Sequence, residues 1–296
     1  PANGSVQNFT TSVRYTVTSE DKAWHRVYAI TAREQKASNI PTTYHFEKVR
    51  IMQNVWQEFY EEQDSGNELT WASGNKGFKW AMSEAATEDY PTTQIDNGKT
   101  GKCVKLETRL TGDLGNMVGM PIAAGNLFIG NFSILNAIAD PLGATRFGTP
   151  FYNKPLRLTG YYKYKSGEKF YEHGEYTSRK DIFNIYAIFY DGVKYDSAGK
   201  GTDVTLDGNL PNQNYEHSSM VALALVSNPQ ETEGDEWKFF DIPFDYQRYG
   251  KKIDEARLAK GEYKIGIIFA SSKDGATFEG APGSTLLIDE VELIYE

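Results

Sequence analysis

The chain has 296 residues, 31 basic against 40 acidic, for a net charge of −9. That length holds one large all-β domain with a small companion and an ample core. The acidic balance, with no clustered cationic footprint, excludes nucleic acid as a partner.

Aromatic residues make up 14% of the chain, led by 19 tyrosines, a composition that suits a β-rich binding surface and a β core equally. Cys103 is the only cysteine, so no intramolecular disulfide can form. It alternates with Lys105, Glu107 and Arg109 and reads as a strand residue rather than a nucleophile. No apolar run approaches the ~18 residues that span a bilayer, so no transmembrane segment is expected. The chain starts at Pro1 without a methionine or signal segment, which points to a processed or trimmed product without its signal or lipoprotein anchor.

In chain order, residues 13–18 (VRYTVT) and 27–33 (VYAITAR) alternate as strands around the polar turn Ser19-Glu20-Asp21-Lys22, and predict a hairpin. A lone hairpin is marginal in water, so this piece needs further strands or the main domain to lean on. Residues 34–43 (EQKASNIPTT) are polar, carry a proline and show no periodicity, and read as a linker. The expected division is therefore 1–43 and 44–296.

The main domain opens with a strand at 44–52, where Phe46 and Val49 flank Glu47. Strands are expected at 69–72 and 78–82, each with a tryptophan, Trp71 and Trp80, and at 103–110, with a turn at Asp96-Asn97-Gly98. Residues 112–155, rich in Gly, Ala, Asn and Pro, read as a long excursion over one sheet. From 156 to 165 the alternation is clear: Leu156, Leu158, Tyr162 and Tyr164 on one side, Arg157, Thr159, Tyr161, Lys163 and Lys165 on the other. Tyr161 thus projects from the polar face.

Residues 181–190 are apolar on both faces and predict a central strand. Strands at 220–227 and 237–244 follow, and 254–260, ended by Gly261, is the one short helix expected. Two last strands, 264–270 and 285–294, flank a loop of turn formers and are expected to pair. In strict alternation Asp289 shares a face with Leu287, Val291 and Leu293, so it must find a partner, shift its pKa or break the alternation with a bulge. Many short strands with Gly and Pro punctuation predict a two-sheet sandwich.

The pattern SSKxGxxFxGAxGSxLxxDxVEL, Ser271 to Leu293, resembles the closing signature of the putative carbohydrate metabolism domain family of surface proteins from gut anaerobes. Upstream, IAAGNLFIG (122–130), FGTPF (147–151) and GYYKYK (160–165) are similar to the same family in the same order. The resemblance covers roughly residues 44 to 296. It implies a jelly-roll β-sandwich of the carbohydrate-binding-module kind, tied to glycan use at the cell surface, and supplies no catalytic residues. More weakly, YTVTSED…YAIT resembles the last strands of immunoglobulin-like modules, which implies a small N-terminal immunoglobulin-like β segment.

Three chemistries are then weighed. In many carbohydrate-binding jelly rolls an acid near the first strand meets one near the last, so Asp289 and Glu47 are the candidates for a structural calcium ion; no other cofactor is required. The rival reading has Asp289 binding backbone N–H groups or a basic side chain. Sugar binding needs a ring to stack on a pyranose and planar polar groups for its hydroxyls. Tyr161 beside Arg157 and Lys163 fits, with Trp71 and Trp80 as further candidates, against the reading that any of these rings is core. Hydrolysis needs two acids about 5 to 10 Å apart across a cleft; Asp181, Glu107 and Asp289 can be named, none in a recognisable catalytic context.

His25, His45, His173 and His217 are dispersed without zinc-ligand spacing, and Ser271-Ser272 is in no nucleophile elbow. The expectation is a monomer displayed outside the cell that binds a poly- or oligosaccharide non-covalently. The rivals are a glycoside hydrolase and a structural adhesion module.

Overall fold

The structure is a computed structural model, described for residues 4–9, 11–31, 37–63, 65–134 and 140–296. It divides into two compact units, Pro1–Ala37 and Ser38–Glu296. The smaller unit is the expected hairpin, Val13–Thr18 paired antiparallel with His25–Ile30. Ser19 and Asp21 fold its turn, the Asp21 carboxylate accepting the Ala23 amide at 3.0 Å. The predicted continuation of the second strand to Arg33 and the start of the linker fall on residues 32–36, outside the described residues. Residues 38–43 belong to the larger unit rather than to a linker: Ile40 is buried, its carbonyl accepts from Gln63 Nε2 at 2.6 Å, and the Leu293 amide donates to the Thr42 carbonyl at 2.7 Å.

The larger unit is all-β with a few short helices, and its two largest sheets are antiparallel throughout. One orders its strands Lys238–Pro243, Pro155–Lys165, Thr285–Tyr295, Cys103–Glu107 and Thr92–Ile95, with Thr43–Tyr44 also paired to Thr285–Tyr295. The other runs Asn126–Phe128, Tyr263–Ala270, Asn184–Asp191 and Met220–Leu225, with Thr149–Pro150 also against Tyr263–Ala270. The apolar run at 184–191 is the central strand its composition predicts, buried over nearly its whole length. One core receives Leu158, Tyr162 and Ile288 from the first sheet and Ile185, Phe189 and Phe269 from the second.

The expected jelly-roll β-sandwich is not what these strands form. Rather than two sheets sharing all the strands between them, the described residues are parcelled into eight sheets, most of two or three strands. The two last strands, expected to pair, lie in different sheets. A two-residue period records which face a side chain takes, and says nothing of which strand lies alongside. The 112–155 excursion enters both kinds of sheet. It contributes Asn126–Phe128 to a large sheet and Gly130–Phe132 with Thr145–Phe147 to a small one.

Other differences have local causes. Residues 78–82 are not a strand: they fall in and just beyond the helix Asn75–Ala81. Its inward residues Asn75, Phe78 and, just past its end, Met82 recur every three or four positions, a helical spacing. The segment 44–52 breaks at Phe46, whose φ of 55° is a left-handed conformation rare for an aromatic residue. Beyond the break, Val49–Met52 turns back on Trp56–Glu62, a strand not anticipated. The short helix near 254–260 is present as Glu255–Leu258, and Asp254 caps it by accepting the Ala256 and Arg257 amides. Among the described residues, no helix is long and apolar enough to cross a membrane.

Candidate functional site

The outer face of the six-stranded sheet is built where Pro155–Lys165 lies between Lys238–Pro243 and Thr285–Tyr295. Alternation turns Tyr161 outward as predicted, and register sets it opposite Phe239 on one side and Asp289 on the other. The Tyr161 and Phe239 rings meet at 5.2 Å between centroids and 55° between planes, and Phe239 remains 53% exposed. Lys99 Nζ sits 4.9 Å from the Tyr161 ring centroid. Trp237, two residues before Phe239, carries Lys163 Nζ 5.0 Å from its ring, and Lys163 also reaches Asp235 at 2.5 Å. Arg157 Nε donates to Asp241 Oδ1 at 2.6 Å. The face therefore offers one exposed ring, Phe239, and two half-buried ones, Tyr161 and Trp237, flanked by planar and charged hydrogen-bonding groups.

Asp289 lies beneath this face, fully buried, because the closing strand carries a β-bulge. Two steps along the partner, Thr159 to Tyr161, match three along the closing strand, Glu292 to Asp289, and Glu290 takes φ 48°. The extra residue returns Val291 and Leu293 to the core side with Leu286 and Ile288, and leaves Asp289 opposite them. Asp289 accepts the Thr100 amide on Oδ2 at 3.0 Å and the Glu290 amide on Oδ1 at 2.8 Å. Burial pushes its pKa up to about 6, and the amides draw it only partly back. Bulge, shifted pKa and backbone partners all occur together.

Glu47 reaches the same loop, 96–102, and accepts the Lys102 amide at 2.8 Å. The loop is packed too closely for side chains at two points. A Cβ on Gly98 would lie 2.6 Å from the Lys102 carbonyl and 2.8 Å from Asp289 Oδ2, and one on Gly101, at φ 60°, would collide with Glu47. So the two acids expected to hold calcium do converge on one loop, but they hold its amides. N–H groups point at the oxygens a cation would need, and among the described residues no group of three or more His, Cys, Asp or Glu is placed to bind a metal. This donor set does not suit a calcium ion.

The remaining candidates scatter. Trp71, 1% exposed, packs against Tyr44, Phe46 and Phe269 in the core and presents no face to a ligand. Trp80, on a helix rather than a strand, is 41% exposed at the mouth of a cavity that Tyr161 does not line. Glu107 is paired with Lys105 and Arg109, each at 3.1 Å. Asp181 is buried and fully engaged: Oδ2 accepts from Ser272 Oγ (2.6 Å), Ser284 Oγ (2.7 Å) and the Ala281 amide (2.7 Å), and Oδ1 from the Ile182 amide (2.9 Å). Cys103 is buried, which pushes its thiol up to about 12.

Of the sequence candidates, then, Tyr161 and Arg157 share one face, with Asp289 beneath it and Glu47 bonded to the loop that supplies Lys99. Phe239 and Trp237 were missed. The alternation in 237–242 could have found them, since it sets two rings and Asp241 opposite Lys238, Phe240 and Ile242. Nothing local could have found Lys99.

Among solved structures, the chain is similar to a putative glycoside hydrolase from Bacteroides vulgatus, at 49% identity and a TM-score of 0.81 over 88% of this chain and 100% of that one. It is similar also to a putative glycoside hydrolase from Bacteroides thetaiotaomicron, at 42% identity and a TM-score of 0.78 over 100% of this chain and 82% of that one. A carbohydrate-binding module in complex with β-1,4-galactotriose matches at 12% identity and a TM-score of 0.27, over 76% of this chain and 87% of that one, a likeness too slight to argue from. No curated protein matches. The sequence profile of the putative carbohydrate metabolism domain matches residues 45–294, and the chain belongs to that family.

Proposed function

We propose that the protein binds an oligo- or polysaccharide non-covalently on the outer face of its six-stranded sheet, outside the cell, in glycan use. The cross-strand pair of half-buried Tyr161 and exposed Phe239 carries this reading. Two rings meeting at an angle form a bent apolar platform for the C–H faces of adjoining sugar rings, while Arg157, Asp241 and Lys163 stand within the same face to meet hydroxyls. Membership of a carbohydrate metabolism family supports the ligand class. The acids beside the platform are committed elsewhere, Asp241 to Arg157 and Asp289 to loop amides.

A glycoside hydrolase is the second reading. Two similar proteins are described as putative glycoside hydrolases, and Asp289, pushed up to about 6 opposite Tyr161, has the protonation range of a general acid. One set of measurements separates the two. A glycan array followed by affinity electrophoresis is run on the wild type, Tyr161→Ala and Phe239→Ala, with reducing-end release followed on each retained glycan. Binding should weaken about tenfold in each variant, with no release. Unchanged retention by both variants would sink the binding face. Release that is lost in Asp289→Asn would replace binding by hydrolysis.

A further inference from the structure

We propose that the cavity behind Trp80 is a separate binding site for a single-ring arene bearing a carboxylate. The cavity has a volume of about 180 Å³, and among the described residues no Asp, Glu, His or Arg lines it and Lys273 is the one charged lining residue. Three of its polar side chains are already engaged. Asn184 Nδ2 donates to the Tyr215 hydroxyl at 2.9 Å, Asn126 Oδ1 accepts the Gly74 amide at 2.8 Å, and Ser272 Oγ donates to Asp181 at 2.6 Å. The walls left for a guest are the apolar surfaces of Phe78, Phe128, Phe147 and Ile268.

These walls select by size and by polarity. Apolar cavities of about 150 Å³ exclude water and take up a benzene-sized guest, so this one admits one ring with a small substituent. A pyranose is refused, because its hydroxyls would be buried without partners. At the mouth the half-exposed indole of Trp80 offers a stacking face. Lys273, which also lines the cavity, is exposed and carries no ion pair among the described residues. A cationic guest is therefore repelled and an anionic one held, with the ring inside and the carboxylate at the lysine. Because the Tyr161 platform contributes nothing to these walls, the two sites stand or fall separately.

Calorimetric titration and thermal melts of the full chain with sodium benzoate, and with benzyl alcohol as its neutral counterpart, test the site. Benzoate should bind the wild type and raise its melting temperature, and should bind more tightly than benzyl alcohol. Lys273→Gln should weaken benzoate about threefold and leave benzyl alcohol unchanged. Ala276→Trp, a plug placed at an exposed lining position, should abolish both while leaving glycan retention intact. Failure of the wild type to bind benzoate would overturn the proposal, as would benzoate binding untouched by the plug. Equal affinity for benzoate and benzyl alcohol would overturn the assignment to Lys273.

Discussion

Asp181 and Asp289 are both buried carboxylates whose pKa values are raised first by loss of solvent, yet they sit in opposite kinds of surroundings. Asp181 gathers two serine hydroxyls and two amides from 182, 272, 281 and 284, and the hydroxyl chain continues from Ser272 through Thr108 to Ser271. Asp289 has backbone amides alone, from Thr100 and from its own neighbour Glu290, and lies under an exposed aromatic face. A charge met by many donors becomes a fixed clamp, whereas one met by few stays responsive to pH.

The largest expected effect tests the clamp. Asp181→Ala strands two hydroxyls and two amides in the interior, and urea unfolding should show a loss of about 3 to 5 kcal/mol. A loss below 1 kcal/mol would mean that the network is not holding the loop 271–284.

Next comes the pH dependence of Asp289. Its folded pKa of about 6 lies above the ordinary 3.8, so between these values the native state binds the extra proton. The group's favourable contribution is complete below about pH 4 and is lost as pH rises to about 6, by at most about 3 kcal/mol. Asp289→Asn should abolish that slope, measured as unfolding free energy at pH 4.5 and pH 7.5. An unchanged slope would place the titration elsewhere.

Smaller still, Gly101→Ala combines a left-handed backbone with a collision against Glu47, and should cost about 1 to 3 kcal/mol by the same unfolding assay. Smallest of all, Phe239→Ala should change stability by about 1 kcal/mol or less, since the ring is half exposed, while weakening glycan retention. A large loss of stability there would recast the platform as structural packing.

The sequence made some of this legible and hid the rest for physical reasons. Tyr161 and Arg157 were placed on one outward face because a strand's alternation is local. The same rule read 78–82 as a strand, because the apolar letters of FKWAM were weighed without the wider spacing of Asn75, Phe78 and Met82. The jelly roll failed because partner choice between distant strands leaves no mark within either. Left-handed backbone at Phe46 and Glu290 is invisible too, since only glycine and a few polar residues advertise it. Among 40 acids, nothing nearby announces that Asp181 meets Ser272 and Ser284, residues roughly a hundred positions further on. The closing signature SSKxGxxFxGAxGS gains a physical meaning from this. Ser272, Ser284 and Ala281 within it are the donors, and Gly280 leaves room for Ser272, whose Oγ would lie 2.5 Å from an added Cβ.

The single surplus residue at Glu290 also works as a phase shifter. Before it, every second side chain from Leu286 belongs to the interior; after it, the count restarts at Val291. Straightening the ladder there with Glu290 kept in regular alternation would put the two halves out of step, so that either Asp289 is driven inward or Val291 and Leu293 are turned out to water. The last six residues therefore owe their lining of the core to a single irregularity in the ladder.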